Sequence, residues 1–364
     1  MNCSSFGQCG SCQLYQLPYR EQVAQKVERL KQLLAPFDPP PIGIYTGPDA
    51  YFRSRAEFRI YHKNGTISYA MREKGNGRKL IPIEECHIVK TPIYRFMPKL
   101  LSHLNSSPLL RERLYEIHFL TNYIDEILVT LIYHKKIDKN MAKEGKKLKE
   151  TFPFADFIFR KKGRKYLFNK NYLIDQLEIG GEKFRYKIVE NTFSQPNPFI
   201  NRQMVNWVIE KSAGLEGDLV ELYCGNGNFT IPLAKKRFRK VIATEINRES
   251  VDAALFNIEL NRTDNITFLA MGASQFAQIV EEGNFLKKTV NTILVDPPRA
   301  GLDLKTELFV DKFENIIYIS CNPESLVRNL KRLTVGRKIV AVAFFDQFPY
   351  TPHIETGVIL KRSV

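Results

Sequence analysis

The spacing of hydrophobic and polar positions divides this chain of 364 residues into two unlike halves. In the first half, residues 19–35 repeat apolar side chains at helical spacing, and residues 51–61 alternate as in a half-buried strand. The pair Asn64-Gly65 that follows is typical of a hairpin turn. Two further strand patterns occur at 115–122 and 126–133. These patterns predict an α+β region.

From about residue 191 onward, short apolar runs alternate with helical segments. Runs typical of buried strands occur at 217–223, 240–245, 266–269, 292–295, 316–320 and 340–345. This order predicts the α/β class, with a Rossmann-like C-terminal domain built on a mostly parallel, doubly wound sheet. We expect three units: a cysteine-containing segment and helix at 1–50, an α+β domain at 51–188 and the doubly wound domain at 189–364.

Charge and composition indicate a polyanionic partner. The formal net charge is +15 and the pI is about 9.4, values that favour nucleic acid. Arg53, Arg55 and Arg59 share one strand face and are candidates for phosphate contacts, although a solvated sheet face is an equal alternative. The sequence contains no run of 18 apolar residues, so a membrane span is not predicted. The polar start of the chain favours the cytoplasm.

Three of the six cysteines lie close together at the start of the chain, and a fourth follows a predicted hairpin. They are Cys3, Cys9, Cys12 and Cys86. Four thiolates suit an iron–sulfur cluster or zinc, and the long first gap disfavours a zinc ribbon. An iron–sulfur cluster is the preferred interpretation, and a set of reduced thiols without metal is the alternative.

A glycine turn follows the first strand of the second half. Gly225 and Gly227 allow a ligand to approach the backbone, and Glu245, at the end of the next strand, suits ribose hydroxyls. Because the third glycine of the dinucleotide pattern is missing, S-adenosylmethionine is favoured over NAD. The alternative is a turn without a ligand.

Three reactive side chains stand at predicted strand ends. Cys321 lies between a strand and a helix N-terminus, where the helix dipole is expected to lower a thiol pKa; its alternative is a small buried filler. Asp296 begins a rigid Asp-Pro-Pro turn, or merely caps it. Glu355 is a candidate general base, or a strand-edge acid.

Five blocks of sequence, at 189–204, 221–230, 293–303, 318–326 and 344–360, resemble the tRNA (uracil-5-)-methyltransferases of the wider RNA 5-methyluridine methyltransferase family. The stretches YFRSRAEFRI and LIYHKKID extend the resemblance into the first half. It implies methylation of carbon 5 of the thymine-loop uridine, position 54 of tRNA, with S-adenosylmethionine as donor. It also implies a tRNA T-arm partner, an RNA-binding first half and a monomer.

The resemblance also assigns roles to individual residues. It implies that Cys321 is the nucleophile and Glu355 the proton acceptor. The residues implied to bind S-adenosylmethionine are Gln195, Tyr223, Asn228, Glu245 and Asp296, with Gln195 and Asp296 also near the uracil. A non-catalytic RNA-binding relic would be expected to lack Cys321 or Glu355, and both are present.

One feature departs from the common tRNA-specific pattern. The cysteine set resembles the iron–sulfur site of the ribosomal-RNA members, while the glycine turn and the segment DQFPYTPH resemble the tRNA-specific members. The thymine-loop uridine is therefore the preferred substrate, with a ribosomal-RNA uridine as the alternative. Whether tmRNA is also a substrate is left open by the sequence.

Overall fold

A computed structural model describes residues 3–283, 286 and 289–363. Its strands are β1 (Ile42–Tyr45), β2 (Arg55–Lys63), β3 (Thr66–Glu73), β4 (Asn76–Ile83), β5 (Leu114–Thr121), β6 (Ile127–Tyr133), β7 (Ala155–Lys161), β8 (Arg164–Leu167), β9 (Tyr172–Ile179), β10 (Glu182–Val189), β11 (Asp218–Leu222), β12 (Val241–Glu245), β13 (Ile266–Ala270), β14 (Val290–Val295), β15 (Asn315–Ser320), β16 (Arg337–Phe345) and β17 (Glu355–Arg362). Its helices are α1 (Tyr19–Leu34), α2 (Thr91–Ser106), α3 (Pro108–Arg111), α4 (Lys139–Thr151), α5 (Pro198–Lys211), α6 (Thr230–Lys236), α7 (Arg248–Leu260), α8 (Ala273–Gly283), α9 (Leu304–Val310) and α10 (Pro323–Leu333). A short 3₁₀ helix, Ala35–Phe37, follows α1.

The first half forms a seven-stranded sheet in the order β4-β3-β2-β5-β6-β7-β8. The predicted hairpin turn joins β2 to β3, with Asn64 and Gly65 both at positive φ. Strands β5 and β6 pair antiparallel, a pairing that the sequence pattern left open. Apolar residues of α2 and α4, such as Leu100 and Leu148, are fully buried in the core of this layer. The predicted α+β region is confirmed.

The second half is built on an eight-stranded sheet in the order β1-β16-β17-β15-β14-β11-β12-β13. Strands β13, β12, β11, β14 and β15 run parallel to one another, and β17 runs antiparallel to both β15 and β16. A mostly parallel sheet with crossover helices was the predicted α/β arrangement, and it is confirmed.

The start of the chain contributes to this second sheet. Strand β1 pairs parallel with β16, opposing Tyr45 to Phe345. Helix α1 buries Leu30 and Leu34 in the same apolar cluster as Leu330 of α10. The hairpin β9–β10 also packs against helices of this layer. Chain segments that precede the first sheet in the sequence and segments that follow it therefore both contact the second sheet. The boundaries drawn from the sequence remain a prediction.

The topology brings several strand ends to one edge of the eight-stranded sheet. The carboxyl ends of β11, β12, β14 and β15 meet there because these strands are parallel. Strand β17 runs the other way, and its register opposes Ser320 to Thr356. Cys321, directly after Ser320, and Glu355, directly before Thr356, therefore lie at the same edge.

No helix within the described residues is long and apolar enough to cross a membrane.

Candidate active site

A cavity of about 540 Å³ opens at this edge of the sheet. It is within the range of small-molecule sites in proteins. All seven residues that the sequence predicted for catalysis and methyl-donor binding line it. They are Gln195, Tyr223, Asn228, Glu245, Asp296, Cys321 and Glu355.

Cys321 occupies the turn between β15 and α10. Asn322 caps α10, its side chain accepting from the Glu324 backbone N–H. The Asn322 amide also donates to the carbonyl of Arg299 over 2.9 Å, which ties the cysteine turn to the turn after β14. The thiol is half-buried and faces the cavity that Asp296 and Glu355 also line.

The electrostatics of Cys321 contradict one expectation from the sequence. Burial, followed by the carboxyl groups of Glu355 and Asp296, raises the pKa of the Cys321 thiol to about 11, and nearby Arg299 opposes the shift. The predicted lowering by the helix N-terminus is therefore wrong for this site, because desolvation and two acids outweigh it. The thiol is therefore predominantly protonated at neutral pH, so the sulfur needs a base when it reacts.

Asp296 and Glu355 form an interacting pair of acids. Burial raises the pKa of both groups above their ordinary values, and Asp296 raises the pKa of Glu355 further. Arg299 opposes this shift on Glu355. Two neighbouring carboxyl groups with raised pKa values are typical of acid–base sites. The pair therefore offers proton acceptors whose ionisation depends on what else enters the cavity.

The opposite end of the cavity is built by the glycine turn. Gly225 has φ +57°, and a Cβ placed on it would meet no atom within 4 Å, so its backbone faces open space. The Glu245 carboxylate accepts from the backbone N–H groups of Gly225, Ile246 and Asn247 over 3.0, 2.9 and 2.7 Å. These contacts fix the carboxylate at the cavity wall.

Asn228 and Gln195 are each held by a second amide. Asn228 and Asn201 exchange two hydrogen bonds of 2.9 and 2.8 Å between their side chains. The oxygen of Gln195 accepts from the side-chain N–H of Gln347. Tyr223, at φ +62°, has a pKa raised by burial.

The arginines of β2 and of the turn before it make contacts within the protein, and the phosphate contacts considered for them remain a prediction. The Arg55 guanidinium donates to the carbonyls of Thr192 and Val189, in the segment that leads to Gln195. Arg59 forms an ion pair with Glu116, and Arg53 donates to the Arg55 carbonyl over 2.7 Å. Of the three, Arg55 holds the segment that leads to Gln195.

One cavity residue was not assigned from sequence. Arg299 follows Asp296-Pro297-Pro298 and acts electrostatically on Cys321, Glu355 and His353. The sequence contains no signal that this side chain, which lies on an exposed turn, acts on Cys321 and Glu355.

The N-terminal cysteines also meet. Cys3, Cys9, Cys12 and Cys86 line a second cavity of about 420 Å³, which Arg299 and His353 also border. Burial raises the pKa of Cys86 to about 12 and that of Cys12 further, with the neighbouring thiols adding to both shifts. Among the described residues, no group of three or more Cys, His, Asp or Glu has the geometry to hold a metal ion. The predicted iron–sulfur cluster therefore has no support.

Comparison with known proteins places this geometry in a family. The family model described as tRNA (Uracil-5-)-methyltransferase matches residues 18–363. The chain belongs to this family. The family predicted from the sequence is confirmed, and with it the prediction that the protein is an enzyme and a methyltransferase.

Curated relatives agree with the family assignment. A tRNA/tmRNA (uracil-C(5))-methyltransferase of Nautilia profundicola is 57% identical over 366 residues, covering 100% of both chains. A protein of the same name from Neisseria meningitidis is 41% identical over 360 residues, covering 95% of this chain and 98% of the relative.

A solved structure supports the fold. The tRNA (uracil-54, C5)-methyltransferase of Pyrococcus abyssi, crystallised with S-adenosyl-L-homocysteine, superposes with a TM-score of 0.76 at 23% identity. The match covers 97% of this chain and 86% of that one. This methyltransferase of the tRNA (uracil-5-) family therefore shares its overall architecture with that enzyme.

Proposed function

We propose that this enzyme methylates carbon 5 of the thymine-loop uridine of tRNA, position 54, through a covalent adduct between Cys321 and the uracil. The observation that carries the proposal is one cavity lined by a thiol, by two interacting carboxyl groups and by a glycine turn that can accommodate a nucleoside. Family membership and the names of the curated relatives support the substrate class.

The glycine-turn end of the cavity fits S-adenosylmethionine. The open space in front of Gly225 admits a nucleoside close to the backbone, and the fixed Glu245 carboxylate has lone pairs left for ribose hydroxyls. Tyr223, Asn228, Gln195 and Asp296 complete the proposed donor site. When bound, S-adenosylmethionine supplies an electrophilic methyl group, and its positive charge favours ionised carboxyl groups.

Cys321 makes the uracil nucleophilic. Its sulfur forms a bond to carbon 6, and the electron pair of the 5,6 double bond moves onto the carbonyl at carbon 4 as an enolate. Since the thiol is protonated at neutral pH, its proton passes to Asp296 as the bond forms. Carbon 5 then carries the electron pair that takes the methyl group.

Glu355 completes the reaction. Its ionised carboxylate removes the proton from carbon 5, the electrons restore the 5,6 double bond, and the bond from carbon 6 to sulfur breaks. The departing sulfur regains its proton from Asp296, and Glu355 releases its proton to solvent. Arg299 favours the ionised form of Glu355 before this step.

The macromolecular partner is proposed from charge and from the relatives. A net charge of +15 suits a polyanion, and the relatives named for both tRNA and tmRNA make tmRNA a second candidate. We propose that the seven-stranded layer contacts the RNA and that the enzyme acts as a monomer. The four N-terminal thiols take no part in the proposed reaction.

The test is methyl transfer from labelled S-adenosylmethionine to unmodified tRNA, tmRNA and ribosomal-RNA fragments in parallel, with nucleoside analysis of each product. Label in 5-methyluridine of the tRNA thymine loop is expected. Label only in ribosomal RNA would overturn the proposed substrate while leaving the chemistry in place. Label in another nucleoside would overturn the chemistry as well.

A further inference from the structure

A buried glutamine stands behind the wall of the active-site cavity. Gln347 lies in the segment between β16 and β17, and only 1% of its surface is exposed. Its side-chain nitrogen donates to the oxygen of Gln195, while its own oxygen is buried without a hydrogen-bond partner among the described residues. The contact to Gln195 is therefore the one polar contact found for this side chain.

One lysine contacts the residues on both sides of Gln347. Lys26 of α1 donates to the Asp346 carboxylate over 2.7 Å and to the Phe348 carbonyl over 2.9 Å, and both charged side chains are buried. The Asp346 N–H donates to the Tyr45 carbonyl over 2.9 Å. The segment that carries Gln347 is thereby anchored to α1 and β1.

The contact has a consequence for Gln195. An amide presents one oxygen acceptor and one NH₂ donor group. Because Gln347 occupies the oxygen of Gln195, the NH₂ group of Gln195 is left for the cavity. A fixed donor matches a ring carbonyl, as in uracil, and opposes the ring amino group of cytosine at the equivalent position.

We propose that Gln347 is a positioning residue, which fixes the amide orientation of Gln195 so that the cavity selects uracil over cytosine. This inference rests on the proposed function. A buried polar side chain that fixes a single partner is suited to such selection, since a wrong base would leave buried groups unpaired.

The first test compares Gln347→Met with the unchanged protein on a thymine-loop RNA hairpin carrying uridine at the target position. Methionine keeps the length and the packing but removes the donor, so Gln195 is free to turn. We expect kcat/KM for uridine to fall about tenfold, the loss of one hydrogen bond in the cavity, with the same thermal midpoint within a few degrees. The matched control is Lys31→Met, an exposed lysine of α1, with unchanged kinetics.

The second test uses pH. In Gln347→Glu, a protonated carboxyl group donates to Gln195 as the amide does, whereas the ionised form only accepts and turns the Gln195 oxygen to the cavity. Activity relative to the unchanged protein is expected to fall as pH rises, and the ratio of uridine to cytidine turnover to fall with it. A relative activity that does not change with pH would overturn the proposal, as would unchanged kcat/KM in Gln347→Met.

The unchanged protein separates this inference from the proposed function. If it fails to methylate uridine in the hairpin and in tRNA, the proposed function fails. If it methylates uridine and both Gln347 variants keep its kinetics and base preference, only the role of Gln347 fails.

Discussion

Burial raises the thiol pKa of Cys321 and of the N-terminal Cys3, Cys12 and Cys86, but the neighbouring groups that add to the shift differ. Cys321 lies near two carboxyl groups and one arginine at a sheet edge, in a cavity that the glycine turn also lines. Cys3, Cys9, Cys12 and Cys86 line one cavity, and neighbouring thiols add to the raised pKa values of Cys12 and Cys86. In the proposed reaction, Cys321 therefore differs from the N-terminal cysteines through the proton acceptors beside it, and not through a low pKa of its own.

The largest expected effect separates the two groups by substitution. Cys321→Ala should abolish methyl transfer, by at least about ten-thousandfold, because no other group can activate carbon 5. Binding of S-adenosylmethionine should persist, as measured by calorimetry. Cys12→Ala, the matched control, should keep turnover near that of the unchanged protein. Comparable losses of turnover in both variants would contradict the proposed difference between Cys321 and the N-terminal cysteines.

The next effect tests the proton acceptor. Glu355→Gln keeps the shape of the side chain but cannot take the carbon 5 proton, so turnover should fall about a hundred- to ten-thousandfold. Because adduct formation precedes that step, a covalent RNA–protein complex should accumulate on a denaturing gel. A slow variant without any accumulated complex would place Glu355 before the attack of the sulfur.

The third effect is the pH profile. The pKa values of Asp296 and Glu355 are raised, so protonated acids predominate at low pH and cannot accept protons. The single-turnover rate should therefore rise with pH through the range where the pair ionises. In Arg299→Gln this rise should shift to higher pH, since Arg299 lowers the pKa of Glu355. An unshifted pH profile would contradict the effect of Arg299 on the pKa of Glu355.

The smallest effect is chemical reactivity without RNA. The pKa of the Cys86 thiol is raised more than that of the Cys321 thiol, so Cys321 should alkylate faster with iodoacetamide at pH 8. Mass spectrometry of peptides sampled over time measures both rates. Faster labelling of Cys86 would contradict the electrostatic ranking of the two groups.

The sequence allowed the meeting of the candidate residues at one sheet edge to be predicted because these residues adjoin strands directly, and their catalytic roles remain a prediction. Asp296, Cys321 and Glu355 each adjoin a strong apolar run, and parallel strands bring such ends together. The methyl-donor turn was predicted for the same reason. Local pattern and family resemblance were sufficient there.

Contacts between distant parts of the chain were not predictable in this way. Strand β1 joins β16 across about 300 residues, and Lys26 pairs with Asp346 over a separation of 320 positions. The thiol pKa was predicted in the wrong direction, because the helix N-terminus is visible in sequence but desolvation and facing acids are not. The Gln347–Gln195 contact likewise depends on a fold that no local pattern encodes.

The covalent bond between Cys321 and uracil is the central claim, and a thymine-loop hairpin with 5-fluorouridine at the target position tests it directly. Fluorine replaces the proton that Glu355 must remove, so the adduct should persist in the presence of S-adenosylmethionine. Mass spectrometry of the digested complex is expected to find one methylated fluorouridine on the peptide that contains Cys321. A complex without a covalent bond, or one joined through another cysteine, would contradict the account.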